Sequence, residues 1–132
     1  MPAPDGRPTF ERLTGLRVVA DPGALDAARW SGEDVTVLRL APDDAFAIDA
    51  TGVDVDDEHA IVEPEPGFSA ARLDSAGLEK VLAHVEFRLP ADRPALAQGK
   101  VAGVPAKLLL DEDGALLVVQ TAYVADLEAR LR

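Results

Sequence analysis

Hydrophobic and polar positions change over in short runs punctuated by Gly, Pro and Asp, a rhythm that predicts more strand than helix. Residues 1–9 hold three prolines and a glycine among few apolar groups and read as an extended, poorly ordered lead. The aliphatic run 16–20 predicts a short strand, ended by Asp21-Pro-Gly-Ala24. Residues 26–30 predict one helical turn before Ser31-Gly-Glu-Asp34. Residues 35–40 are β-branched and aliphatic, Ala41-Pro-Asp-Asp44 turns the chain, and residues 46–49 return, giving a first hairpin. Residues 50–58 read as a loop and residues 59–62 as a strand. That strand ends at Pro64-Glu-Pro-Gly67, because proline lacks the amide that a ladder needs.

Beyond Gly67 the period lengthens. Residues 68–73 predict a strand leading into Asp74-Ser75, whose side-chain oxygens suit the free amides at a helix start. Leu78, Val81, Leu82 and Val85 then lie on one helical face. Leu89-Pro90 ends regular structure, and residues 91–97 read as a loop or single turn. A strand is expected within residues 97–110, with Gly103 and Pro105 marking a bulge or kink near its start. The last twenty-five residues form a complete packing unit in the pattern: Lys107-Leu-Leu-Leu110, the acidic turn Asp111-Glu-Asp-Gly114, Ala115-Leu-Leu-Val-Val119, and an amphipathic stretch from Thr121 to Leu131. Its two strands are apolar on both faces and are expected inside a sheet covered on each side. Asp-Gly between apolar runs is favoured hairpin chemistry, with glycine accepting positive φ. Thr121 is the expected cap of the final helix, and Tyr123, Val124, Leu127 and Leu131 its buried side.

Two hairpins of similar plan, at residues 35–49 and 107–119, with two amphipathic helices, predict an α+β fold: a mixed, mainly antiparallel sheet with the helices packed on it. A chain of 132 residues fits one domain, placed at residues 10–132.

Composition narrows the chemistry. No cysteine is present, which removes thiolate catalysis and Cys-based zinc sites and fits a reducing cytoplasm. The start of the chain lacks a signal-peptide core, and no segment reaches the roughly 20 apolar residues of a membrane span. The expectation is a cytoplasmic protein without a membrane role. A formal charge of −11 repels phosphate backbones, so no nucleic-acid partner is expected. The acidic run Asp54-Val-Asp-Val-Asp-Asp-Glu58 lacks the mid-loop glycine and spacing of an EF-hand, and no metal is expected there.

Acid–base work has only His59 and His84 to draw on. His84 falls at a predicted helix end, where a cation suits the dipole, and His59 follows the acidic loop as a surface residue. Ser31, Ser69 and Ser75 have no nucleophile-elbow sequence, and no phosphate-cradling glycine motif occurs. Arg72 is a candidate anion ligand or a solvent-facing arginine. No catalytic residue is therefore assigned, no position is singled out for a cofactor, and catalysis by this chain alone is not expected.

Val37-Leu-Arg-Leu-Ala-Pro-Asp-Asp-Ala-Phe46, the capped helix near residues 74–84, and Ala97-Gln-Gly-Lys-Val-Ala-Gly-Val-Pro-Ala-Lys-Leu-Leu-Leu110 with Tyr123-Val-Ala-Asp-Leu-Glu-Ala-Arg-Leu131 together point to a family. Over residues 35–131 the chain resembles the gamma subunit of heterotetrameric sarcosine oxidase, which belongs with the folate-binding domain of the glycine cleavage T protein. The resemblance implies a ferredoxin-like, T-protein-like α+β core and a noncatalytic subunit or binding module acting through protein contacts. The alternatives are a binder of tetrahydrofolate or a similar pterin, and a homo-oligomer pairing through exposed hairpin edges. Phe46 stands where the relatives often carry tryptophan, and no counterpart of their catalytic aspartate or folate-contacting acid is identified.

Overall fold

A computed structural model describes residues 8–131, so most of the lead expected at residues 1–9 lies outside the described residues. In chain order the elements are β1 (Glu11–Arg12), β2 (Gly15–Val19), α1 (Pro22–Asp26), β3 (Arg29–Ser31), β4 (Thr36–Ala41), β5 (Asp44–Ile48), β6 (Gly52–Asp54) and β7 (Ile61–Pro64). There follow β8 (Phe68–Asp74), α2 (Ser75–Leu82), β9 (Ala95–Val101), β10 (Val104–Leu110), β11 (Gly114–Gln120), a 3₁₀ turn (Thr121–Tyr123) and α3 (Val124–Arg130). The class is α+β, and every strand pairing among the described residues is antiparallel. The span read as a single domain divides into two compact units: an inserted unit, Leu13–Pro66, and a terminal unit made of the residues up to Arg12 together with those from Gly67 onward. The two hairpins of similar plan fall in different units.

In the inserted unit a four-stranded sheet runs in the order β4-β5-β2-β7, beside a two-stranded β3-β6 pair. Central β5 is buried on both faces, with Ala45, Phe46 and Ala47 inaccessible, whereas edge strand β7 is exposed throughout. Leu16, Val18 and Ala45 turn to one face, where they pack with Ala20, Leu25, Trp30, Val53, Val55 and Ala60. The helical turn expected at 26–30 is displaced. Pro22 suits the first helical position, where no amide is needed, so the helix starts directly after Asp21. Residues 29–31 are then free to pair with Gly52–Asp54, inside the stretch expected to be loop.

The terminal unit carries a five-stranded sheet, β1-β8-β11-β10-β9. As the apolar pattern requires, β10 and β11 lie in its interior. Leu108, Leu110, Ala115, Leu117 and Val119 share one face and pack with Val81 of α2 and Leu127 of α3. Val118 points to the opposite face and is also fully buried. Asp74 caps α2 as expected, its Oδ1 accepting from the Gly77 amide at 2.7 Å.

Two local expectations are corrected. Residues 97–110 are not one kinked strand. Val101 pairs with Val104 across a two-residue turn whose central residues, Ala102 and Gly103, have φ of 50° and 79°. Pro105 is accommodated because β11 pairs with β10 only from Ala106 onward. Thr121 does not cap the last helix: the chain enters through the 3₁₀ turn, and the Thr121 hydroxyl instead bonds Ser69 Oγ at 2.8 Å.

Candidate functional site

The residues singled out for chemistry are dispersed. His59 stands in solvent on the 57–60 turn with its side chain 87% exposed, 3.3 Å from Glu58. His84 lies just past α2, where its backbone carbonyl accepts from the Ala102 amide. Arg72 is a solvent-facing strand residue tied to Asp111 at 3.1 Å. Ser69 pairs with Thr121, and Ser75 donates to the Asp113 carbonyl, so both hydroxyls join elements of the terminal unit. Within the terminal unit, the hydrogen bonds of Arg72, Ser69 and Ser75 go to different partners and not to one another.

The acidic loop has a structural use. One Asp57 oxygen accepts from the Asp21 amide at 2.8 Å and the other from the His59 amide at 2.9 Å. These backbone bonds, Asp21 first, hold the Asp57 carboxyl below the usual aspartate range. No group of three or more His, Asp or Glu side chains among the described residues converges as a metal site would need.

A charge cluster that the sequence pattern did not mark sits on the inserted sheet. Arg17 forms a fork with both Asp44 oxygens, at 2.6 and 2.7 Å, and reaches Glu65 at 3.0 Å. The hydrogen bonds to Asp44 raise the guanidinium pKa further, against the opposing effect of burial. Its only signal in sequence is a lone cation in an aliphatic run, between Leu16 and Val18. With two carboxylates already on it, Arg17 is a strand clamp across β5, β2 and the end of β7, not an open anion site.

The same sheet ends in an exposed edge strand, β7. All four residues of β7 are exposed, including Ile61 at 55% and Val62 at 43%. Val19, its cross-strand neighbour, adds a further exposed aliphatic beside Ile61. Glu65 N–H donates to Gly15 O, which makes Glu63–Arg17 and Ile61–Val19 the hydrogen-bonded pairs of the β2–β7 ladder. The alternation then turns the Val62 amide and carbonyl outward, along with the Pro64 carbonyl. Pro64 has no amide, and the Ala60 amide is occupied by the Asp57 carbonyl. Within β7 the outer rim thus presents one donor against two acceptors.

Charge is divided unequally between the units. The inserted unit carries thirteen acids against three arginines, a formal balance of −10, whereas the rest of the chain is nearly neutral at −1. Two of those three arginines, Arg17 and Arg39, are held by acids of their own unit. Residues 40–71 contain nine acids and neither Lys nor Arg, and β7 lies within them.

No helix among the described residues is long and apolar enough to cross a membrane. No protein-family model matches the chain, and no curated protein matches it.

Proposed function

We propose that this chain is a noncatalytic subunit or binding module that works through protein contacts. The observation that carries this reading is β7, an exposed sheet edge with aliphatic side chains in solvent and an outward-facing backbone amide. β7 is short, ends in Pro64 and carries Glu63, which blunts pairing with a like edge, yet its outward amide and exposed Ile61 and Val62 still admit a further strand of complementary charge. Within the terminal unit the Ser69 and Ser75 hydroxyls are engaged in joining elements, to Thr121 and to the Asp113 carbonyl, which supports a structural use for both. The resemblance over residues 35–131 to the sarcosine oxidase gamma subunit supplies the kind of assembly: a small subunit beside larger ones that hold the flavin.

The test has two arms. Co-expressed with the larger subunits of a heterotetrameric sarcosine oxidase, the chain is expected to co-purify in fixed stoichiometry, while the isolated chain leaves sarcosine unchanged. Turnover by the isolated chain would refute the proposal. In the second arm tetrahydrofolate is titrated while following fluorescence of Trp30, which is half-buried against the inserted unit's core, together with the melting temperature. A flat response is expected, and a saturable shift in both would replace the proposal with a pterin-binding function.

A further inference from the structure

We infer that β7 takes up an extended, basic segment of a partner protein, which adds as an outer strand to the inserted sheet. The inference rests on the protein-contact reading above and supplies the chemistry of the partner.

Backbone geometry sets the kind of segment. The outward Val62 amide and the Val62 and Pro64 carbonyls form a short rim that is richer in acceptors than donors, so the incoming strand must donate. Pro64 closes the rim at one end and limits the added ladder to a few bonds. Affinity must therefore come largely from side chains. Ile61 and Val19 offer an aliphatic surface on one face of the sheet, and Glu63 shares that face two residues along β7. An apolar residue over Ile61 with a Lys or Arg two positions away, over Glu63, matches that spacing.

Charge decides between partners. The strand lies within a stretch of nine acids lacking Lys and Arg, in a unit of net −10. A second copy pairing edge to edge would bring two such fields together, a like-charge juxtaposition that opposes association. A cationic segment is drawn in by the same field, and its arrival is accelerated at low ionic strength.

The experiment uses the full chain and a blocked peptide of repeating Val-Thr-Lys-Thr, which places valine and lysine two residues apart on one face of a strand, followed by amide chemical shifts. Perturbations are expected at residues 59–66 and 15–19, with binding lost at high salt. Val62→Pro removes the outward donor while leaving the β2–β7 ladder bonds in place, and Glu63→Lys reverses the charge. Each is expected to weaken binding by about tenfold or more. The same peptide with glycine in place of every valine and threonine tests charge without strand propensity; if it binds equally well, only unspecific attraction is present and the inference fails. It fails as well if the valine–lysine peptide does not bind, or binds both variants as it binds the parent. A dimer detected by light scattering and dissolved by Val62→Pro would assign the edge to a second copy instead. Co-purification with the larger subunits that survives both substitutions undiminished would remove the edge assignment but leave the protein-contact proposal standing.

Discussion

Asp57 turns an acidic loop into a fixed corner by accepting two backbone amides, one 36 residues away in sequence. Its carboxyl titrates below the ordinary aspartate value, so the sign of its contribution is set. The stabilisation is fully present above the unfolded-state pKa of about 3.9 and is lost as pH falls through the lower folded value. Asp57→Ala is therefore expected to lower the urea midpoint at neutral pH, with the gap to the parent closing in the acid range below about pH 4. A gap that persists unchanged there would mean that the carboxylate is not the source. Ala102 gives a prediction of opposite sign. It holds φ of 50°, fixed by its amide bond to His84 O, by Arg130 Nη1 donating to its carbonyl at 2.8 Å, and by Glu86 accepting from the Gly103 amide. Left-handed backbone costs a residue with a Cβ roughly 1–2 kcal/mol, and Asn-Gly is the preferred pair for a turn with both central φ positive. Ala102→Asn should thus stabilise by about 1 kcal/mol in urea unfolding. That turn was hidden from sequence reading because alanine carries no turn signature, whereas the Asp74 cap was legible because its signal, an acid ahead of a helical stripe, is entirely local.

At the level of elements, α3 distinguishes packing from charge. Leu127 is fully buried in the terminal core, while Arg130 reaches across to the 102–103 turn. Leu127→Ala is expected to cost about 2–5 kcal/mol, and Arg130→Ala about 1 kcal/mol through one lost hydrogen bond. Comparable urea midpoints for the two variants would contradict that ordering. Central strands and their covering helices were readable because apolar residues on both faces of β10 and β11 admit only an interior position. The short elements were not: β3 and β6 have three residues each and depend on a tertiary pairing rather than on local preference. Even a correctly placed turn had a different cause. The turn after Leu110 needs Gly114 not for positive φ but because a Cβ there would lie 2.0 Å from the Leu73 carbonyl oxygen of the neighbouring strand. Close approach across a sheet leaves no mark in a one-dimensional pattern. The candidate edge was half legible for the same reason: a strand was expected at 59–62, but only the three-dimensional ladder shows that Val62 faces outward.

For the whole molecule, the decisive quantity is where the charge lies. A net −11 conceals that one unit of 54 residues bears −10 of it. Within that unit Arg17 and Arg39 are already engaged with acids, so the remaining carboxylates repel one another with little local compensation. Such repulsion acts over distances comparable with the Debye length, about 10 Å at 0.1 M salt, and is screened as ionic strength rises. The ion pairs are screened too, but those exposed to solvent contribute only about 0–1 kcal/mol each. Repulsion among thirteen acids should therefore dominate the salt response, and sodium chloride is expected to stabilise the inserted unit more than the terminal one. Native-state hydrogen exchange at low and moderate salt measures this directly: protection should rise at β2 and β5 amides and change much less at β10 and β11. An equal gain in both units would point to a general effect of salt on apolar burial, and a loss in the inserted unit would show that the Arg17 clamp outweighs the surrounding acids.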